Sequence, residues 1–291
     1  MTRRTLLTAT AAGIAATTLS RAAESSEDQK PLKPPASGPV PVAFVVSDGA
    51  VLIDFAGPWE VFNNTITQDN KPAFRLYTVS NNTKMIASSG LNLIPDYTFA
   101  NAPAPKVVVI PAQSDNQEML SWIRKTAESA DLTMSVCTGA FVLANTGLLA
   151  GKAATTHHGA YGRFGMQYKD IRLKRGFRFV EAGSNLASAG GLTSGIDLAM
   201  RVVERYYGRD TAERTAFYME YQGTGWRDSS GAANQEYVKK TAIAGDLTDP
   251  VCGMSIPPAT ALKSTYQGTT YGFCSKTCKD RFDSDPASFL T

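Results

Sequence analysis

The sequence is short of histidine, cysteine and net charge. Its 291 residues hold two histidines, His157 and His158, side by side, so any imidazole chemistry must use that pair. There are only four cysteines. Cys137 stands alone, while Cys252, Cys274 and Cys278 crowd the last 40 residues. An odd cluster of three points to a metal site, or to one disulfide with a spare thiol. The formal charge of +3 disappears once Arg3, Arg4 and Arg21 at the N-terminus are set aside, leaving 26 basic against 26 acidic residues. No basic arm or patch is left to neutralise phosphates, which argues against a nucleic-acid partner. No internal repeat is visible. The one apolar stretch at the N-terminus is too short and too rich in Ala and Thr to span a membrane.

That stretch, residues 1–23, has a charged start, an apolar middle and small residues at Ala22 and Ala23. It reads as an export signal. The Arg3-Arg4 pair ahead of Leu6-Leu7 suggests the twin-arginine route, and with it a periplasmic destination. Residues 24–39, polar and proline-rich, read as a flexible tether.

From Val40 the pattern changes. "VPVAFVVSDG", "FRLYTVS", "LNLIPDYTF", "KVVVIPA", "LTMSVC" and "NLASAGG" read as strands. "KVVVIPA" is an unbroken β-branched run, as in a strand buried on both faces. A helix is expected after "AVLIDFAGP", carrying "WEVFNNTI". "NQEMLSWIRKTAES" has helical spacing with Met119, Trp122 and Ile123 on one face, and "TSGIDLAMRVVERYYG" is a long helix. Strands alternating with helices predict an α/β fold: a parallel sheet covered on both sides. Residues 223–248 are polar with one helical stretch and read as a linker, either free or packed on the first domain, and residues 249–291 form a small Cys-rich unit with few long aliphatics.

In "TMSVCTGAF" a hydrophobic strand runs straight into Cys137, and Thr138-Gly139 opens a helix. A thiol on such a turn sits near a helix N-terminus, where free backbone N–H groups and the dipole favour a thiolate and lower the thiol pKa. That is the logic of a nucleophile elbow. A small buried core cysteine would give the same local pattern.

The blocks "IDFAGPWEVF" (residues 53–62), "VVVIPA" (107–112), the cysteine turn, "GKAATTH" (151–157) and "AGGLTSGIDLA" (189–199) together resemble the ThiJ/PfpI superfamily over residues 40–222. The likeness is greatest to its isonitrile-hydratase-like branch. It implies a flavodoxin-like parallel-sheet sandwich, a small-molecule substrate, no cofactor for this domain, and a homodimer. Cys137 matches the nucleophile and Asp54 the acidic partner. Thr138 would supply a hydroxyl and an N–H beside the thiol, and His157 matches the histidine after the next strand. Gly139 would allow close backbone packing. Ala112 and Gln113 stand where the family commonly has Gly-Gly and an N–H aimed at the substrate. With Gly139 they are the expected pocket and oxyanion positions. Asp54 could instead cap the helix before "GPWEVF". Thr138 replaces the histidine of the peptidase-like branch, which argues against proteolysis.

The C-terminal unit, with "DPVCGMSI" and the C-x₃-C pair Cys274 and Cys278, resembles a YHS domain over residues 249–291. That resemblance implies heavy-metal handling, often of copper. Three thiolates from Cys252, Cys274 and Cys278 suit Cu(I), whereas zinc would need a fourth ligand such as Met254 or Asp249. The expectation is an exported enzyme with a Cys137 nucleophile and a soft-metal module. The rival is a metal sensor, chaperone or scavenger without turnover.

Overall fold

A computed structural model describes residues 30–228, 245–251 and 254–290. The export signal with Arg3-Arg4, Cys252, and most of the 223–248 segment lie outside the described residues.

The central sheet has seven strands: β1 (Val40–Val45), β2 (Phe74–Ser80), β3 (Tyr97–Thr98), β4 (Val107–Ile110), β5 (Leu132–Ser135), β6 (Phe179–Glu181) and β7 (Leu186–Ala189), in the order β6-β7-β5-β4-β1-β2-β3. Every pairing is parallel except β6 with β7. Successive side chains of a strand point to opposite faces. In β1, Val40, Val42 and Phe44 enter one apolar cluster while Ala43 and Val45 enter the other. That is why these strands read as continuous apolar runs rather than as alternation. Helices α1 (Leu52–Asn63), α5 (Ser194–Tyr207) and α6 (Arg209–Tyr218) cover one face, and α2 (Gln117–Ala127), α3 (Gly139–Asn145) and α4 (Tyr161–Gln167) the other. The flavodoxin-like expectation holds.

The chain winds outward through β1, β2 and β3, then returns to β4 on the other side of β1. The crevice beyond the strand ends at such a reversal is where open α/β sheets hold ligands. Asp54 follows β1, Ala112 follows β4 and Cys137 follows β5.

Three local expectations need correction. "LNLIPDYTF" is not one strand: Leu91–Leu93 pairs with Ile86–Ser88 in a hairpin, and only Tyr97–Thr98 joins the sheet, because Pro95 interrupts the run. Helix α1 starts at Leu52, before Gly57-Pro58, and takes Pro58 inside it. The proline forgoes the N–H that would bond the Asp54 carbonyl, a loss that burial of Phe55, Val61 and Phe62 offsets. The tether is not free along its second half. Leu32 packs on the core, its N–H bonds the Arg205 carbonyl at 2.8 Å, and the Arg205 guanidinium bonds the Lys30 carbonyl at 3.3 Å. The 223–248 linker takes the packed alternative at its start, with Trp226 fully buried and the guanidiniums of Arg209 and Arg227 each 5.3 Å from its ring centroid.

The C-terminal unit is a hairpin, Leu262–Tyr266 with Thr269–Phe273, closed by α7 (Lys276–Ser284) over a small cluster of Val251, Phe273, Cys278, Phe282 and Phe289. Among the described residues no helix is long and apolar enough to cross a membrane.

Candidate active site

Cys137 stands where β5 gives way to α3. Its φ is 58°, a left-handed backbone that costs a non-glycine residue of order 1–3 kcal/mol. The surroundings impose it. Its N–H donates to the Gly190 carbonyl at 2.8 Å, and its carbonyl accepts from the Thr156 hydroxyl at 2.9 Å. Gly139 follows because nothing larger fits: a Cβ there would lie 2.7 Å from the Pro111 carbonyl oxygen. The turn is the strained elbow that the sequence suggests, with the thiol 8% exposed.

Asp54 comes from the first turn of α1 and is fully buried. Its Oδ2 accepts the Ala112 N–H at 3.1 Å, and its Oδ1 is buried with no hydrogen bond of ordinary length among the described residues. It does not cap α1. That end carries no side-chain cap of its own, and the Leu52 N–H donates instead to the Ser89 hydroxyl of the hairpin at 3.2 Å. Burial pushes the Asp54 carboxyl up to about 6, against partial compensation from the Ala112 N–H, the Cys137 thiol and the Leu192 N–H.

The expectation of a lowered thiol pKa is overturned. Burial, and then the Asp54 carboxylate beside it, push the Cys137 thiol up to about 11, outweighing the Thr138 and Leu192 N–H groups that favour the thiolate. The physical reason is that α3 is only seven residues long and its leading Gly139 N–H is already bonded to the Val136 carbonyl. The desolvated sulfur therefore faces a carboxylate with little helix end to oppose it. Between about pH 6 and about pH 11 the pair carries one proton, on sulfur, and one negative charge, on Asp54.

Thr138 turns its backbone N–H toward the sulfur, and its side chain makes no cap bond. His157 is half-buried. Its Nδ1 accepts the Gly159 N–H at 3.1 Å, which leaves the proton of the neutral ring on Nε2. Burial and His158, whose ring centroid is 4.3 Å away, push its pKa down. Among the described residues no hydrogen bond joins His157 to Cys137 or Asp54.

The oxyanion assignment moves. The Ala112 N–H is taken by Asp54 and the Gly139 N–H by Val136. The Gln113 side chain is tied to the end of β1, its Nε2 on the Val45 carbonyl at 2.8 Å and its Oε1 on the Ser47 hydroxyl at 2.7 Å. The N–H groups that face the Cys137–Asp54 pair belong to Thr138 and Leu192. Leu192 escaped sequence reasoning because it contributes only its backbone. The one signal was Gly190-Gly191 just ahead, marking a tight turn, and Leu192 itself sits at φ 51°.

In the C-terminal unit an Asp249 oxygen and the sulfurs of Cys274 and Cys278 lie within 4.8 Å of one another. Cys278 opens α7 behind Ser275, whose hydroxyl accepts its N–H at 3.2 Å. The Cys274 thiol donates to the Cys278 sulfur at 3.7 Å, and the two are not joined in a disulfide. Asp249 is fully buried, one oxygen on the Val251 N–H at 2.8 Å and the other on the Cys274 N–H at 2.9 Å. Two soft sulfurs and a carboxylate in a buried cluster fit a soft or borderline cation. Burial holds the Cys278 thiol above its ordinary range, so loading a metal would release a proton. Met254, the other fourth ligand that the sequence offers, has an exposed side chain.

Comparison with known proteins agrees with both halves of this description. The family model for DJ-1/PfpI matches residues 40–205, and that for the YHS domain matches residues 247–291. The isonitrile hydratase of Pseudomonas putida is 33% identical over 187 residues, 62% of this chain and 78% of that protein. The HTH-type transcriptional regulator GbdR of Pseudomonas aeruginosa is 26% identical over 178 residues, 59% of this chain and 48% of the regulator. A ThiJ/PfpI family protein from Pseudomonas syringae superposes with a TM-score of 0.57 at 25% identity, covering 66% of this chain and 79% of that one. The chain belongs to the DJ-1/PfpI family and carries a C-terminal YHS domain.

Proposed function

We propose that this chain is an exported, periplasmic enzyme that adds water to a small electrophilic carbon through Cys137, with the YHS unit as a soft-metal module. The observation that carries the reading is the strained Cys137 turn facing a buried Asp54 whose carboxyl titrates at about 6. A base poised near neutral pH beside a nucleophile of higher pKa suits proton transfer concerted with attack.

With an isonitrile, sulfur bonds to the terminal carbon as the thiol proton passes to Asp54. Asp54 returns that proton to the same carbon, giving a thioimidate on Cys137. Asp54 then takes a proton from water as the oxygen adds to this carbon, and passes it to the nitrogen. The C–S bond breaks as the hydroxyl proton moves, by way of Asp54, to the sulfur, and an N-substituted formamide leaves. The Thr138 and Leu192 N–H groups face the charge that develops beside the sulfur. His157, neutral and with its Nδ1 occupied, is assigned to the wall of the site rather than to the proton path. A homodimer accords with the family. The 33% identity to an isonitrile hydratase supports this choice of electrophile.

The full chain, given a simple alkyl isonitrile, should yield the formamide, followed by NMR. Cys137→Ala should abolish the product. Equal turnover by that variant would rule Cys137 out as the nucleophile.

The Asp249–Cys274–Cys278 cluster favours a second reading, in which the protein is a copper or heavy-metal scavenger or sensor without turnover. A wild type that binds metal and turns over no isonitrile or reactive carbonyl would decide for it.

A further inference from the structure

The loop 190–193 meets the active pair at Gly190 and Leu192. The Gly190 carbonyl holds the Cys137 N–H at 2.8 Å. Gly191 is packed against His157, so that a Cβ there would meet the imidazole Nε2 at 3.1 Å. Leu192 is held at φ 51°, with its N–H toward Cys137 and Asp54. The first N–H groups of α5 hold the loop's backbone, Ser194 on the Gly191 carbonyl at 3.0 Å, and Gly195 and Ile196 on the Leu192 and Thr193 carbonyls at 3.1 Å. A second restraint comes from the residue that leads into β6. The Gly190 N–H bonds the Arg178 carbonyl at 2.8 Å. The guanidinium of the same residue donates through Nη2 to the Thr193 hydroxyl at 3.2 Å and through Nε to Asp197 Oδ2. Arg178 therefore grips both ends of the loop, one with its backbone and one with its side chain.

Asp197 is the anchor of that grip. It is fully buried on α5, its side chain 1% exposed against 17% for Arg178. Gly225 presses on the pair from the packed start of the 223–248 segment, where a Cβ would lie 3.0 Å from Arg178 Cδ and 3.3 Å from the Asp197 carboxyl. A buried carboxylate and guanidinium in hydrogen-bonded contact define orientation more than they add stability. Here the orientation they define is that of the Thr193 hydroxyl, the residue next to Leu192.

We propose that Arg178, seated on Asp197, is a positioning residue for the Cys137–Asp54 pair: by holding Thr193 it fixes the loop 190–193 and so aims the Leu192 N–H at the site. This role rests on the Cys137–Asp54 reading above. It adds a part of the molecule that neither the elbow nor the acid supplies.

The test reads the thiol, not turnover. The full chain is alkylated with iodoacetamide across pH 6–11, and modification of Cys137 is followed by peptide mass mapping. Melting temperatures are recorded in parallel. The Leu192 N–H favours the thiolate, and hydrogen bonds to the charged form lower a pKa. Thr193→Val and Arg178→Lys should therefore move the alkylation midpoint of Cys137 upward and slow alkylation at pH 8 by roughly 3- to 10-fold, the equivalent of about half to one pKa unit. Thr193→Val keeps the Arg178–Asp197 pair and the shape of the side chain, so its melting temperature should change little. Arg178→Ala, which risks misfolding, is the secondary variant and should shift the profile at least as far. If Thr193→Val and Arg178→Lys fold and both leave the profile at its wild-type position, Arg178 is structural and the proposal falls. Asp54→Asn is the control for the reading beneath it. If Asp54→Asn leaves the midpoint unmoved, the Cys137–Asp54 pairing itself fails. If Asp54→Asn lowers it while the loop variants do nothing, only the positioning role is lost.

Discussion

At Asp54 the demands of folding and chemistry conflict. Raising a carboxyl from 3.8 to about 6 means that the ionised form is disfavoured in the folded protein, and each pKa unit is about 1.4 kcal/mol. The folded state binds the proton more tightly than the unfolded chain, so this contribution is fully present below about pH 4 and is lost as the pH rises through 6. At pH 7 the ionised, buried Asp54 costs on the order of 1–3 kcal/mol. Asp54→Asn should therefore raise the melting temperature at pH 7.5 and cut turnover roughly 100-fold or more. The stability gain should shrink as the pH is lowered to 4. A variant that is destabilised at pH 7.5 yet keeps its activity would make Asp54 a structural group. The pairing of Cys137 with Asp54 was implied by the resemblance of their two motifs to the ThiJ/PfpI superfamily, whereas the local pattern alone left Cys137 open between a nucleophile and a core residue. The direction of the thiol shift was not legible. It depends on how deeply the sulfur is buried and on the distance to a carboxylate 83 positions earlier in the chain.

At the level of elements, the strand–turn–helix from β5 to α3 is over-determined. The strand delivers Cys137, the Gly190 and Thr156 contacts fix its backbone, and Gly139 lets α3 press against the end of β4. Gly139→Ala would force a methyl group into two carbonyl oxygens that cannot move without breaking the sheet. It should cost at least about 1–3 kcal/mol of stability, measured by chemical denaturation, and should displace the thiol. A fully stable Gly139→Ala variant would show that the turn has slack at the end of β4. This element was readable because its sequence carries a pattern: an apolar run, then Cys-Thr-Gly. The true start of α1 was not, because Gly57-Pro58 is a local breaker that tertiary burial of Phe55 and Phe62 overrides. Loop 190–193 was only half readable, since its Gly190-Gly191 pair announces a turn but nothing in the letters shows where a backbone N–H points.

At the scale of the molecule, the YHS domain sits on the first domain through α4. Gly162 leaves room for Arg281 of α7 and for Phe289, to whose ring a Cβ at Gly162 would come within 3.0 Å. Arg175, just past α4, lies 4.8 Å from the Phe289 ring centroid. The two domains were separable in the sequence by composition, but this contact was not, because it joins a glycine to an arginine more than a hundred residues apart. The metal cluster was half legible: Cys274 and Cys278 stand out by spacing, whereas Asp249 joins them only through the fold. Both Asp249 oxygens already accept backbone N–H groups, and the thiolate sulfurs are the softer ligands. The reduced full chain should therefore bind one Cu(I) in preference to zinc, measured by competition with a Cu(I) chelator. A Cys274→Ser/Cys278→Ser variant should lose that binding. Equal affinity in both chains would make the cluster structural.

The most direct test of the Cys137–Asp54 mechanism is the pH dependence of kcat/KM for hydration of an alkyl isonitrile by the full chain between pH 4 and 9. The rate should climb about tenfold per unit at low pH, bend near 6 as Asp54 ionises, and stay level to pH 9 because the thiol keeps its proton. In Asp54→Asn that limb should vanish together with most of the rate. A profile whose rising limb lies near 8 or above, or one unchanged in Asp54→Asn, would mean that free thiolate rather than the Asp54 carboxylate drives the reaction, and would contradict the mechanism.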